Sequence, residues 1–121
     1  MTNKSILLID DCLQNLKLTK FLLKREGFEV GTAENADQAL SALEERIPDM
    51  ILMDIQLPGM DGLALTRHLR RDETLRDVPI VAFTASAIKG DEEIARAAGC
   101  DGYITKPIDT RTFISVVREY V

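Results

Sequence analysis

Three short apolar runs without polar alternation are spaced along the chain, ILLI at 6–9, MILM at 50–53 and IVAF at 80–83. Strands with no polar face are typical of parallel sheets that are covered by helices on both sides. The segments between these runs are long enough for the crossover helices that parallel strands require. Two weaker runs, FEVGTA at 28–33 and GYITK at 102–106, are predicted to be the edge strands.

Between the strands, the apolar positions follow a helical period. The inward faces of two helices are predicted to consist of Ala36, Ala39, Leu40, Leu43 and Ile47, and of Phe113, Val116, Val117 and Tyr120. A third helix, over 89–98, offers the core mostly alanine beside Ile94, so we expect it to be the least firmly held.

Helix-end signals agree with this division of the chain. Asn35 with Gln38 resembles a capping box, Asp109 is a candidate cap for the last helix, and Gly27 stands where a left-handed residue would end the first helix. Residues 1–121 are therefore predicted to form a single doubly wound α/β domain. Its expected architecture is a flavodoxin-like parallel sheet of five strands in the order 2-1-3-4-5, with five helices.

Composition and charge narrow the function classes. The chain of 121 residues has 20 acidic and 15 basic side chains and a net charge of -5, so a nucleic-acid backbone would be repelled and direct nucleic-acid binding is not expected. No apolar run approaches the roughly 20 residues needed for membrane insertion. No signal-peptide-like region follows MTNK, and Cys12 and Cys100 fit no metal-binding spacing. A cytoplasmic location is therefore predicted.

Polar residues follow the predicted strands at the points where they end. The first strand ends in Asp10 and Asp11, the third in Asp54, the fourth in Thr84 and the fifth in Lys106. Because ligands of open α/β sheets bind outside the carboxyl ends of the strands, all of these side chains are expected at one edge.

The charges at this edge point to a cation. Carboxylates repel one another by about 4 kcal/mol per pair at ~4 Å and an effective dielectric constant near 20, which Lys106 alone does not offset. Mg²⁺ prefers oxygen ligands and commonly completes its shell with a phosphate oxygen. The edge is predicted to bind Mg²⁺ and a phosphoryl group, with Asp54 as the nucleophile and with Thr84 and Lys106 facing the phosphoryl oxygens.

Each residue also has a local structural interpretation. Asp10 and Asp11 could cap the first helix, Asp54 could open a polar loop, Thr84 could cap the fourth helix, and Lys106 could be a solvated strand end. Their joint occurrence at the ends of several strands of one sheet favours a site.

Four stretches, in order ILLIDDCLQN, DMILMDIQLPGMDG, IVAFTA and DGYITKPI, resemble the receiver domains of two-component response regulators. The resemblance runs from Lys4 through the last helix. The variants LPGMDG and SAIKGDEE look most like stand-alone receivers and the receivers of hybrid kinases.

This resemblance implies that Asp54 accepts a phosphoryl group from a phosphohistidine of a histidine kinase or a histidine phosphotransfer protein, in a reaction that needs Mg²⁺. Asp11 and Asp54 would ligate the ion directly together with the backbone carbonyl of Gln56, and Asp10 would act through a metal-bound water. The protein would be a bacterial signalling receiver that catalyses only its own phosphorylation and dephosphorylation, without an organic cofactor.

The resemblance also implies a switch. Thr84 would be drawn toward the phosphoryl oxygens, Tyr103 would fill the space it leaves, and the fourth helix, fifth strand and fifth helix would change their surface for a downstream protein effector. The Lys106–Pro107 bond is expected to be cis. The protein would be a monomer or a phosphorylation-dependent dimer, either stand-alone or part of a longer chain in which MTNKS favours an N-terminal position.

Three other functions share parts of this pattern. Haloacid-dehalogenase-like phosphohydrolases also use an aspartyl nucleophile, but they carry it in a DxD motif after the first strand, where this chain has DDC. A nucleotide- or flavin-binding module would need a glycine-rich loop there. A pure interaction domain would require that the acidic site is vestigial.

Three side features have simpler interpretations. His68 is interpreted as a solvated helix residue, and Arg67, Arg70 and Arg71 are predicted to form one exposed basic face. Cys12 is interpreted as packing at the start of a helix, although its thiol would lie near the acidic pair.

Overall fold

Strands and helices alternate along the chain in the computed structural model, which describes residues 4–54, 62–84, 89–105 and 110–121. The strands are β1 (Ser5–Ile9), β2 (Glu29–Ala33), β3 (Met50–Met53), β4 (Ile80–Thr84) and β5 (Gly102–Thr105). The helices are α1 (Leu13–Arg25), α2 (Ala36–Glu45), α3 (Gly62–Arg70), α4 (Lys89–Ala98) and α5 (Thr110–Tyr120).

All strands are parallel and lie in the order β2-β1-β3-β4-β5, which confirms the predicted topology. Ile9 is in register with Ala33 on one side and with Met53 on the other, so β2, β1 and β3 end together. Thr84 is likewise in register with Thr105. The carboxyl ends of the strands therefore form one edge of the sheet.

The central strands are buried on both faces, as their continuous apolar runs predict. In β1, Leu7 and Ile9 pack in the core on the side of α2, α3 and α4. Ile6 and Leu8 pack in a second core, which α1 and α5 cover. β3 divides its four residues between the two cores in the same alternating way, so the sheet carries a hydrophobic layer on each face.

The helix-end predictions hold where the structure describes them. Gly27 has φ 93°, the left-handed conformation that ends α1. The side chain of Asn35 accepts a hydrogen bond of 2.8 Å from the Gln38 N–H, and Gln38 Oε1 accepts one from the N–H of Glu34. The second half of the capping box thus reaches one residue further back than its standard form. Asp109, the predicted cap of α5, lies outside the described residues.

The described helices are short. The longest of them, α1, has 13 residues, and the residues that the structure describes include no helix with the length and hydrophobicity needed to cross a bilayer.

Two predicted core positions are wrong. Ile47 is 49% exposed because α2 ends at Glu45, and Pro48 disfavours helical backbone in the residue before it. Ile94 is 50% exposed, whereas Ala95 and Ala98 are buried. Since successive helical residues are about 100° apart around the axis, the turn that directs Ala95 and Ala98 inward directs Ile94 toward solvent.

The predicted exposed basic face is wrong for one of its arginines. Arg67 and Arg71 are exposed, but the Arg70 side chain is only 18% exposed. Its guanidinium donates hydrogen bonds to Asp101 Oδ2 at 2.6 Å and to the carbonyl oxygens of Gly99, Leu75, Arg76 and Val78. Arg70 therefore joins the end of α3 to the connection before β4 and to the turn between α4 and β5.

The two cysteines are free and differ in burial: Cys100 is buried and Cys12 is partly exposed. Burial raises the pKa of the Cys100 thiol, and the hydrogen bond with Thr66 only partly counteracts this.

The thiolate is the reactive form of cysteine, so we expect iodoacetamide at mildly alkaline pH to alkylate Cys12 well before Cys100. Peptide mass spectrometry over time measures the alkylation rates of both cysteines. In the Cys12→Ser variant only Cys100 can react, so its slower rate is measured alone. Equal rates in the folded protein would contradict the burial of Cys100.

Candidate functional site

Two of the predicted site aspartates are placed side by side by the backbone of the sheet. Asp10 follows β1 directly, and its N–H donates to the carbonyl oxygen of Ala33 at 3.0 Å. Asp54 follows β3 directly, and its N–H donates to the carbonyl oxygen of Ile9 at 2.8 Å. The strand order reverses between β1 and β3, so both residues stand where open α/β sheets form their binding crevice.

The structure brings Asp10, Asp11 and Asp54 together. Each offers one carboxylate oxygen, and these oxygens all lie within 4.8 Å of one another. Asp10 is 3% exposed and Asp54 is 6% exposed, whereas Asp11 is open to solvent. The cluster is therefore a largely buried concentration of negative charge with one accessible side.

The local capping interpretation would require Asp10 or Asp11 to be the N-cap residue of α1, and neither of them is. The N-cap residue is Cys12, whose side chain makes no capping hydrogen bond. Instead, the Cys12 N–H donates to Asp10 Oδ1 at 2.9 Å. This contact between an aspartate and the backbone two residues later orients the Asp10 carboxylate. The role of the Cys12 N–H was not predicted from the sequence, although an aspartate two residues before a helix N-cap is the pattern that signals such a turn.

Thr84 and Tyr103 lie on the same face of neighbouring strands. Thr84 is the last residue of β4 and is fully buried. Tyr103 of β5 pairs with Ala82, two residues before Thr84, and packs against the core on the α2, α3 and α4 side. Because side chains two residues apart point to the same face of a strand, Tyr103 and Thr84 are diagonal neighbours.

The remaining predicted site residues, Gln56, Lys106 and Pro107, lie outside the described residues. Their proposed contacts and the cis Lys106–Pro107 bond stay predictions.

The chemistry of the acidic cluster fits Mg²⁺. In octahedral Mg²⁺ with ligand distances of about 2.1 Å, neighbouring oxygens are about 3 Å apart and opposite ones about 4.2 Å apart. The oxygens of the cluster lie within 4.8 Å of one another, so small side-chain adjustments bring them to distances at which they share one ion. Two buried carboxylates at this spacing need a positive charge, and the accessible side at Asp11 leaves room for water ligands. The described residues thus supply the hard oxygen donors that this ion requires.

Comparisons with known proteins agree with this geometry. The model of the response regulator receiver domain family matches residues 6–118. The polar-differentiation response regulator DivK of Brucella anthropi is 43% identical over 118 residues, which cover 98% of this chain and 96% of that protein.

Many solved structures share this fold, and two of them illustrate the similarity. One is a putative response regulator from Chloroflexus aurantiacus, with a TM-score of 0.94, 25% identity and 98% of each chain covered. The other is the receiver domain of a sensor histidine kinase from Pseudomonas aeruginosa, with a TM-score of 0.89, 34% identity and 98% of each chain covered. That domain was solved with a magnesium ion coordinated in its active-site cleft. The family model and the relatives match nearly the whole chain, and the sheet and its acidic edge agree with them. The chain therefore belongs to the family of response regulator receiver domains.

Proposed function

We propose that this receiver domain accepts a phosphoryl group on Asp54 from a phosphohistidine donor. The observation that carries the proposal is the cluster of Asp10, Asp11 and Asp54, with its oxygens within 4.8 Å of one another at the strand-order reversal. A buried carboxylate that faces a cleft at this point can attack a phosphorus atom that approaches from outside the sheet.

Asp11 and Asp54 would hold Mg²⁺ directly, with the backbone carbonyl of Gln56, and Asp10 would contact it through a bound water. When bound, the ion supplies positive charge that offsets the carboxylates and the phosphoryl oxygens. The Asp10 carboxylate already accepts the Cys12 N–H, so one of its oxygens is held by the protein itself. The magnesium ion in the cleft of the Pseudomonas aeruginosa receiver supports this assignment.

In the transfer, a carboxylate oxygen of Asp54 forms a bond to phosphorus while the bond from phosphorus to the donor imidazole nitrogen breaks. The product is an acyl phosphate, and the donor histidine leaves as a neutral imidazole after taking up a proton. Lys106 would neutralise one phosphoryl oxygen, and the Thr84 hydroxyl would donate to another. In such in-line transfers the protein contributes mainly positioning and charge.

The signal would be a population shift at Thr84 and Tyr103. Tyr103 is partly buried and lies diagonally beside Thr84, which is the arrangement needed for the ring to enter space that the hydroxyl leaves. The surface of α4, β5 and α5 would then favour one state of a partner protein. Among the described side chains of α4, the buried ones are small, Ala95 and Ala98, which supports the expectation that this helix is weakly held.

We further propose that residues 1–121 act as one receiver domain in the cytoplasm, as a monomer or a phosphorylation-dependent dimer. A histidine kinase or a histidine phosphotransfer protein would be the donor, and a protein effector would read the switch. The free thiols of Cys12 and Cys100 agree with a reducing compartment.

Incubation with a labelled small phosphodonor such as phosphoramidate tests the proposal. With Mg²⁺ we expect acid-stable, hydroxylamine-labile label, the signature of an acyl phosphate, and with EDTA we expect background label. We also expect negligible turnover of free phosphomonoesters. Steady multiple turnover would identify a phosphohydrolase instead, and label that resists hydroxylamine would rule out an aspartyl acceptor.

A further inference from the structure

A small cavity lies beneath the acidic cluster, between α1 and strands β1, β3 and β4. Its volume is about 10 Å³. Apolar side chains, including Leu16, Leu52 and Phe83, form part of its wall, and three polar residues of the wall are Asp10, Asn15 and Thr19. An otherwise apolar cavity that has these polar groups on its wall is a candidate site for a small polar ligand.

Thr19 is the unusual member of this wall. Thr19 is 2% exposed, and its Oγ1 has no hydrogen-bond partner among the described residues. Threonines in helices ordinarily bond to the carbonyl oxygen one turn earlier. Thr66 of α3, which is also fully buried, does so and donates to the Gly62 carbonyl oxygen at 2.7 Å. Thr19 does not make this standard bond, so its buried hydroxyl needs another partner.

One water molecule matches both the size and the chemistry of the cavity. A buried water needs about 10–15 Å³ of accessible volume and two to four polar partners. The cavity volume is at the lower end of this range, and three polar residues, Asp10, Asn15 and Thr19, line it. A larger ligand does not fit, and a cation alone would not satisfy the hydroxyl proton of Thr19.

We propose that this cavity holds a single water molecule that links the Thr19 hydroxyl to the Asp10 carboxylate, which makes Thr19 a positioning residue for the Mg²⁺ site. The role toward Mg²⁺ rests on the proposed function, whereas the water itself does not. Asp10 is then oriented from two sides, by the Cys12 N–H at 2.9 Å and from below by the water. The link connects the middle of α1 to the acidic cluster.

Three variants of the full chain test the proposal. Thr19→Val keeps the shape of the side chain and removes the hydroxyl, Thr19→Ser keeps the hydroxyl, and Thr66→Val removes an equally buried hydroxyl that already has its own partner. Calorimetric titration with Mg²⁺ measures affinity, and crystal structures at high resolution show whether the cavity contains water.

We expect Thr19→Val to bind Mg²⁺ about tenfold more weakly, the lower end of the usual cost of losing an outer-shell partner. Thr19→Ser and Thr66→Val should bind as the wild type does. Water density should lie within hydrogen-bond distance of Thr19 Oγ1 and the Asp10 carboxylate, and it should weaken or disappear in Thr19→Val.

An empty cavity in the wild-type protein, or unchanged Mg²⁺ affinity in Thr19→Val, would overturn the inference. If Thr19→Val were also more stable than the wild type, the hydroxyl would be unpaired and not bridged. If the wild type itself took up no Mg²⁺, the proposed function would fail, while the density in the cavity would still decide whether the water exists.

Discussion

Asp54→Asn is expected to reduce labelling by a small phosphodonor in Mg²⁺ to background while leaving the fold intact. The asparagine side chain has nearly the same shape, but its amide is a poor nucleophile and cannot form the acyl phosphate. The backbone bond from residue 54 to the Ile9 carbonyl does not depend on the side chain, so the end of β3 should stay in place. Hydroxylamine-labile label, compared with the wild type under the same conditions, measures the effect.

Two controls separate this loss from unfolding. Asp72→Asn changes an exposed aspartate in the connection before β4, at the opposite edge of the sheet, and should be labelled normally. In EDTA, Asp54→Asn should raise the free energy of unfolding, because it removes one of the like charges that repel each other in the cluster. The expected increase is only about 1–2 kcal/mol, because solvent screens the charge of Asp11. Normal labelling of a well-folded Asp54→Asn protein would refute Asp54 as the acceptor.

Arg70→Ala is expected to lower the free energy of unfolding by about 3 kcal/mol. The guanidinium donates to four carbonyl oxygens and to Asp101, whose Oδ2 also accepts the Ile80 N–H. Its loss would leave acceptors in the connection before β4 and at the turn before β5 without their partner, and would remove the packing of a largely buried stem. The charge pair itself contributes little, because the Asp101 side chain is 48% exposed. Urea denaturation followed by circular dichroism measures the change.

Arg46→Ala is the matched control. Arg46 pairs with Glu29 at 2.6 Å, the same distance as Arg70 with Asp101, but its side chain is 64% exposed and that of Glu29 is 47% exposed. We expect a loss of less than about 1 kcal/mol for this surface pair. Similar losses in the two variants would show that burial and the carbonyl contacts of Arg70 do not determine its contribution.

The fold could be predicted because its strongest signal is local. Continuous apolar runs such as 6–9 and 50–53 require burial on two faces, and the structure supplies a core on each face. Helix limits and side-chain directions were harder to predict. Ile47 continues the apolar period of α2, but the helix ends at Glu45, before Ile47, because the proline after Ile47 disfavours helical backbone.

Arg70 shows what periodicity cannot reveal. In TRHLRR it has the spacing of an exposed basic face, yet its partners come from a turn about 30 residues later and from the connection before β4. A long side chain that reaches carbonyl oxygens leaves no pattern in its own helix. The contact becomes visible only when α3, β4 and the turn before β5 are placed together.

The acidic site was predictable for a topological reason. In a parallel sheet the residues just after the strands share one edge, so the sequence alone predicts that Asp10 and Asp54 lie together. Thr19 could not be identified in the same way, because a threonine on the inner face of a helix ordinarily bonds to its own backbone. The contacts of Lys106 and Gln56 still rest on the sequence alone.

Borohydride trapping of the phosphorylated protein tests the central claim most directly. Borohydride reduces an aspartyl phosphate to homoserine, which peptide mass spectrometry locates in the chain. After incubation with phosphodonor and Mg²⁺, we predict homoserine in place of Asp54, and none when EDTA is present. Homoserine at Asp10 or Asp11, or no homoserine in protein that carries label, would contradict the account.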